Sequence, residues 1–250
     1  MRAVAALYAR PRWLLDYAHA APEWQPDDGR GAAMYRRNFS GIIAQGRTSA
    51  FLDAMRESSE HQEGRGIRAR TTVWGAMTGQ TNGVLIASDF NTLDELEKFT
   101  DLAATDASFA SVRRAVRTEM IYEASEVDIQ RLSYHSDGLI SSEEATAPRH
   151  YMRTLSGDVR PGHHREFVMA ISHALEYQKQ RGIDATTSVW SSVTGATSGV
   201  AIVAEFDGLA ELEKFDDMAV KDAEFGRLRK ASREAMVFLT SEVVIMRNLM

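Results

Sequence analysis

Apolar and polar positions follow two different periods along this chain, and together they predict a mixed α/β domain. The stretches ARTTVWGAM (69–77) and VLIASDF (84–90) are short and rich in β-branched and aromatic residues, as strands are. RTSAFLDAMRESSEHQE (47–63) and LDELEKFTDLAATDASF (93–109) instead place apolar residues at helical spacing, and the second is expected to break at Asp106, a new N-cap. With strands at AMYRRNFSG and EMIYEASEVDI, the predicted order is β-α-β-β-α-β.

This pattern occurs twice. With a shift of 116 residues, Met34–Tyr134 aligns with His150–Met250 without a gap, and 43 of the 101 aligned pairs are identical. An ungapped match of this length indicates a duplicated domain. The chain is therefore divided into an N-terminal extension (1–33) expected to pack on the body, a first repeat (34–134), a small polar linker (135–149) and a second repeat (150–250).

The order of elements within one repeat is that of the split βαβ, or ferredoxin-like, unit. Helices cover only one face of such a sheet, so the other face needs a partner. The second copy can supply it if the two sheets meet face to face. The predicted fold class is α+β, with two ferredoxin-like repeats whose antiparallel sheets form a barrel within one chain. This pseudo-dimer leaves further homo-oligomerisation open.

Two phrases carry a resemblance to a known family. They are TTVWGAMTGQTNGVLIASDFNTLDELEKF (71–99) and its copy TTSVWSSVTGATSGVAIVAEFDGLAELEKF (186–215). Together with the element order, they resemble the dimeric α/β-barrel superfamily, in its NIPSNAP-like and antibiotic-biosynthesis-monooxygenase branches. The resemblance implies a cavity between the sheets and a natural-product tailoring enzyme. This would be a cofactor-independent monooxygenase, cyclase or isomerase acting on an acidic aromatic or polyketide-like molecule.

Composition narrows the partners to small molecules. The net charge of −6 over 250 residues argues against nucleic acid, which needs a basic face, and no apolar run has the length of a membrane span. The absence of cysteine excludes disulfides, thiolate metal sites and a cysteine nucleophile, and it fits the expected location, a reducing cytoplasm. Nucleotide-binding and serine-hydrolase motifs are missing, and the histidine spacing favours no metal site.

The second strand of each repeat indicates what lines the barrel. Val73, Met77, Val189 and Val193 suit the helix-packed side, so Trp74 and Trp190 are predicted to point between the sheets. The tryptophans then either wall a ligand or fill the barrel core with their N–H groups satisfied. The polar residues predicted to bind substrate beside them are Thr72, Ser188 and Ser192.

The first strand repeats an arginine on one face. Arg37 and Arg153 share that face with Tyr35 and Tyr151. A mid-strand arginine is rarely buried without an anion, which favours a cavity that binds a carboxylate, enolate or phenolate. Internal salt bridges or a surface position at a strand end remain open. The carboxylates considered for such bridges are Glu123, Glu126 and Glu242.

Some monooxygenases of the resembling superfamily pair an asparagine with a tryptophan. Here the second strand has no asparagine before its tryptophan. Asn38, on the first strand, is a substrate-binding candidate, and Thr154 replaces it in the copy. The resemblance to the oxygenases is therefore incomplete at this position.

Divergence between the repeats suggests the catalytic groups. One bound molecule needs one set of reactive groups, so positions that differ between the repeats are expected to carry the chemistry. His150 stands opposite Met34, and Glu123 opposite Leu239. In this hypothesis Arg37 or Arg153 holds the anion and His150 or Tyr151 moves the proton. The alternatives are drift at strand ends, a haem protein with His150 or His173 as axial ligand, and a non-catalytic binding or assembly protein.

Overall fold

The computed structural model describes residues 34–138, 148–195 and 198–250, apart from the side chains of residues 122–125 and 238–241. The predicted extension and most of the predicted linker lie outside these residues. The first repeat contains β1 (Tyr35–Ile43), α1 (Thr48–Glu63), β2 (Arg70–Ala76), β3 (Gly83–Phe90), α2 (Leu93–Thr105), α3 (Ala107–Thr118) and β4 (Met120–His135). The second contains β5 (Tyr151–Val159), α4 (His164–Gln180), β6 (Thr186–Ser192), β7 (Gly199–Phe206), α5 (Leu209–Lys221), α6 (Ala223–Ala235) and β8 (Met236–Asn248).

The strands form a closed antiparallel barrel in the order β1-β3-β2-β8-β5-β7-β6-β4. Each repeat contributes one four-stranded sheet, and the sheets join at two seams. At the β2–β8 seam, Trp74–Ala76 pair with Met246–Asn248, whereas at the β4–β6 seam Gln130–His135 pair with Ser188–Ser192. The predicted intramolecular barrel of two ferredoxin-like repeats is confirmed.

The helices lie on the outside of the barrel, and the long helix breaks where predicted. The Asp106 carboxylate accepts the backbone N–H groups of Ser108 and Phe109 at 2.9 Å each, so α3 starts with a side-chain cap. Asp222 caps α6 in the same way. Beneath the helices, Val73 and Val189 are fully buried in separate outer cores. Met77 and Val193, expected on the same side, are instead about half exposed at the strand ends.

The barrel has its own interior core. Trp74 and Trp190 meet there, as the alternation along β2 and β6 predicts. The other buried members are Met34, Leu132, Met152, Ala201 and Val203. Side chains from both repeats therefore fill the centre of the barrel and hold the two sheets together.

Candidate active site at one end of the barrel

The two tryptophans occupy the centre of the barrel. The Trp74 N–H donates to Thr72 Oγ1 at 3.0 Å and the Trp190 N–H donates to Ser188 Oγ at 2.8 Å. Both indoles are at most 2% exposed. Thr72 and Ser188, predicted to bind substrate, thus satisfy the buried indoles, as a packed core requires. Any site must lie beyond this layer.

The predicted face of the first strand is corrected by the structure. The Arg37 guanidinium carbon lies 5.6 Å from the ring centroid of Phe99 on α2, and that of Arg153 lies 5.1 Å from the ring of Phe215 on α5. Both arginines therefore face the helices, and strand alternation puts Tyr35 and Tyr151 on the same side. Burial, with further repulsion from Arg113 and Arg117, lowers the pKa of Arg37 to about 10.

The arginine inside the barrel is Arg36. Its Nε and Nη2 donate to the two carboxylate oxygens of Asp89 at 2.6 and 2.9 Å. Its guanidinium carbon lies 4.0 Å from the ring centroid of Trp190, in a cation–π contact that links the repeats. Burial alone would lower the pKa of Arg36, but the charges of Asp89 and Glu205 outweigh burial and raise it. The aligned residue in the second repeat is Met152, which has no charge.

This ion pair belongs to an asymmetric layer across the barrel. In the first repeat, neighbouring strands place Gln130, Arg36, Asp89 and Arg70 side by side. The aligned layer of the second repeat contains Met246, Met152, Glu205 and Thr186. Nearly all the charge is therefore in one half of the layer, and Glu205 is the only ionisable residue among the four aligned positions of the second repeat.

Glu205 has no basic residue at the aligned position of the next strand, where Met152 lies. Its Oε2 accepts the backbone N–H of Arg149 at 3.3 Å. Burial raises the pKa of Glu205, although the positive charge of Arg36 and the Arg149 N–H oppose the shift. The carboxylate is therefore a stronger base than an exposed glutamate.

His135 enters this layer through a β-bulge. Leu132 pairs with Trp190, but the register then shifts, so that Tyr134 pairs with Val189 and His135 with Ser188. Since Val189 faces the helices and Ser188 the interior, the bulge at Ser133 directs His135 towards the barrel end.

Electrostatics keep this histidine neutral. Burial lowers the pKa of His135, and the positive charges of Arg36 and Arg70 add to the shift against the opposing Asp137 carboxylate. Its Nδ1 accepts the Asp137 N–H at 3.1 Å. The neutral ring therefore carries its proton on Nε2 and can donate a hydrogen bond from there.

A cavity of about 240 Å³, here called the end cavity, lies beside these groups. Asp137 and Arg149 line it, and their backbone N–H groups bind His135 and Glu205 respectively. Thr186, the cross-strand neighbour of Glu205, lines it as well. Its other walls include Tyr134, Gln178, Lys179, Ile183 and Asp184. The end cavity is thus one residue away from both titratable groups.

The remaining predicted residues lie elsewhere. His150 is exposed, and its Nδ1 lies 3.0 Å from the carbonyl oxygen of Asp207, so the expectation that it reaches the interior is wrong. The side chain of Glu123 lies outside the described residues, as does that of Leu239. Asn38 Oδ1 and Thr154 Oγ1, at aligned positions, are buried without a hydrogen-bond partner among the described residues. Ser192 is half-buried opposite Gln130 at the β4–β6 seam.

Sequence reasoning missed Arg36, Asp89, Glu205 and His135. One signal was available, because Arg36 stands opposite Met152 in the repeat alignment and so meets the divergence criterion that selected His150. The position of His135 had no such signal, since it depends on the bulge. The polar end of the barrel is therefore a finding of the structure.

Comparison with known proteins supports the architecture. No family model and no curated protein matches the chain. Among solved structures, an anthrone oxidase-like protein superposes with a TM-score of 0.61 at 12% identity, covering 88% of this chain and 93% of the other. The chain has the dimeric α/β-barrel fold. A candidate monooxygenase from Lactobacillus acidophilus gives a TM-score of 0.60 at 10% identity, covering 87% and 94%.

A candidate chlorite dismutase shares the dimeric α/β-barrel fold, with a TM-score of 0.53 at 15% identity over 88% and 96% of the two chains. The residues proposed here as haem ligands do not fit a haem in this barrel. The tryptophans fill its centre, His150 is bound at the surface, and His173 lies on α4, outside the barrel. At such low identities these likenesses establish the fold alone.

Two further searches of the described residues were negative. They contain no group of three or more histidine, aspartate or glutamate side chains placed to hold a metal ion. Within the same residues, no helix combines the length and apolar character needed to cross a membrane.

Proposed function

We propose that this dimeric α/β-barrel protein is a cofactor-independent enzyme of the monooxygenase, cyclase or isomerase type. Its substrate would be a small acidic aromatic molecule, held in the end cavity and activated by proton removal. One observation carries the proposal: Glu205 and His135 flank the same cavity, and burial moves their pKa values in opposite directions. Such a pair is a common arrangement for acid–base chemistry near neutral pH.

The geometry assigns different roles to the two groups. Glu205 is the base, because its carboxylate takes up a proton more readily than an exposed one. Neutral His135 donates from Nε2 to the substrate oxygen on which negative charge develops, since its Nδ1 is already occupied by the Asp137 N–H. The proton moves from substrate carbon or oxygen to Glu205, and the electron pair delocalises onto that oxygen.

Positive charge from the first repeat stabilises the anion. Arg36 and Arg70 both act on Glu205 and His135 through their charges. Arg36 is held rigid by Asp89 and by the Trp190 ring, so its field needs no reorganisation during the reaction. Reaction of the anion with oxygen, ring closure or reprotonation at another carbon would complete an oxygenase, cyclase or isomerase cycle.

Hydrogen–deuterium exchange of a bicyclic aromatic ketone, 2-tetralone, tests the proton removal. In D₂O the protein is expected to accelerate exchange of the acidic C–H protons, as followed by NMR. Glu205→Gln should abolish the acceleration, and His135→Gln should reduce it by about 10²-fold. Glu126→Gln, at an exposed carboxylate of β4, is the control and should exchange like the wild type. Undiminished exchange in Glu205→Gln would exclude Glu205 as the base.

A further inference from the structure

The end cavity contains a polar atom that the proposed mechanism does not use. Gln178 lines the cavity, is 3% exposed, and has no hydrogen-bond partner for its Oε1 among the described residues. Buried amide oxygens are nearly always paired, because leaving one unpaired costs the full loss of its hydration. An unpaired oxygen in the wall of a cavity therefore indicates a ligand group that donates to it.

The first repeat contains a natural comparison. Gln62, aligned with Gln178, is similarly buried at 7% exposure, and its Nε2 donates to Ser58 Oγ at 3.3 Å. The residue aligned with Ser58 in the second repeat is Ala174, which has no polar side chain. The glutamine was kept, but the side chain that binds it was lost in the repeat that forms the end cavity.

The cavity size limits the ligand. A cavity of about 150 Å³ accommodates benzene, and the end cavity has about 240 Å³. One or two aromatic rings therefore fit. The nearby guanidinium of Arg149 is engaged by Asp184 at 2.8 Å and by Asp207 at 3.4 Å, which leaves the Gln178 oxygen as the unpaired group of the wall.

We infer that Gln178 selects ligands of one or two rings that carry an O–H or N–H donor. This inference rests on the proposed function in that the end cavity holds the substrate. The ligand's donor binds Gln178 Oε1, while its acidic position faces Glu205 and His135. Selection then comes from a buried acceptor that stays unpaired with any analogue lacking the donor.

Binding of a matched pair of probes tests this selection. At neutral pH, 2-naphthol carries an O–H donor, and 2-methoxynaphthalene has the same rings without one. The wild type is expected to bind 2-naphthol about tenfold more tightly by calorimetry, the ratio that one well-placed hydrogen bond gives. Gln178→Leu should reduce the ratio to about one, since it removes the acceptor. Gln62→Leu, at the aligned position of the first repeat, is the matched control and should keep the ratio.

A second variant does not rely on removing a buried side chain. Ala174→Ser introduces the hydroxyl that the first repeat carries at Ser58, where it is 4% exposed and tolerated. The new hydroxyl would bind the Gln178 amide and compete with the ligand. We expect Ala174→Ser to weaken 2-naphthol binding while leaving 2-methoxynaphthalene binding nearly unchanged.

Equal affinity of the wild type for both probes, a preference for the ether, or binding of neither would overturn the inference. The proposed function fails separately. Loss of the Gln178-dependent preference with intact ketone exchange would reject only the role of Gln178. A preserved preference with no exchange catalysis would reject the proton-removal mechanism and leave Gln178 as a determinant of binding.

Discussion

Arg36 and Arg37 are neighbours in sequence, but they serve opposite sides of β1. Arg37 is repeated as Arg153 because both contact an aromatic ring of the helix layer. Arg36 has no such copy, and its partner Asp89 lies 53 residues away. A strand with two adjacent arginines does not reveal by alternation which one points inwards, so the sequence suggested the wrong one.

The Arg36–Asp89 pair should show strong coupling in unfolding experiments. Arg36→Met leaves Asp89 buried without its partner, and Asp89→Asn does the same to Arg36. Each change should therefore lower the free energy of unfolding by about 3–5 kcal/mol. The double variant should lose clearly less than the sum, as measured by urea denaturation in a double-mutant cycle.

A surface pair provides the control for that cycle. Arg47 also binds a carboxylate, that of Glu119, through two of its nitrogens, but its side chain is 54% exposed. Arg47→Met should therefore have a smaller effect than Arg36→Met. Additive losses for the Arg36 and Asp89 changes would show that the buried pair is not energetically coupled.

His135 should make the protein sensitive to mild acid. Its pKa is lowered in the folded state from about 6.5, so below that pH the unfolded chain binds more protons. The free energy of unfolding should fall as the pH drops below about 6.5, down to the folded pKa. His135→Gln removes this contribution, so the difference between variant and wild type should shift in favour of the variant between pH 7.5 and 5. Parallel pH profiles of the two proteins would contradict the assignment.

At the scale of elements, alternation was a good guide where the sequence marked the faces strongly. The tryptophans of β2 and β6 were placed correctly because valines beside them identify the helix side. The bulge in β4 could not be predicted, since Ser133 differs in no way from an ordinary strand residue on a half-polar strand. His135 was therefore assigned to the linker, although it ends the strand and reaches the site.

The two seams of the barrel should differ in stability. The β2–β8 seam has three paired positions and the β4–β6 seam has five. Fewer ladder hydrogen bonds at the β2–β8 seam should allow local opening at lower cost. Hydrogen exchange followed by mass spectrometry should show faster exchange in peptides covering 74–76 and 246–248 than in those covering 130–135 and 188–192. Equal or slower exchange at the shorter seam would refute this order.

For the whole molecule, duplication made the fold predictable. An exact offset of 116 residues identified the repeat, and the need to cover the bare face of each sheet predicted the closed barrel. The end cavity was not predictable by these rules, because it depends on a lost serine at position 174 and on contacts between strands far apart in sequence. The site therefore lies where the two repeats stopped being equivalent.

The bulge at Ser133 also has a genetic consequence. Every other strand position keeps its face when one side chain is exchanged for another, but the face of His135 depends on how many residues precede it in β4. Loss of a single codon there would turn Tyr134 inwards and His135 outwards while leaving both residues in the protein. A gene of this kind can gain or lose an active-site histidine through a change in length alone, without any mutation of the histidine codon.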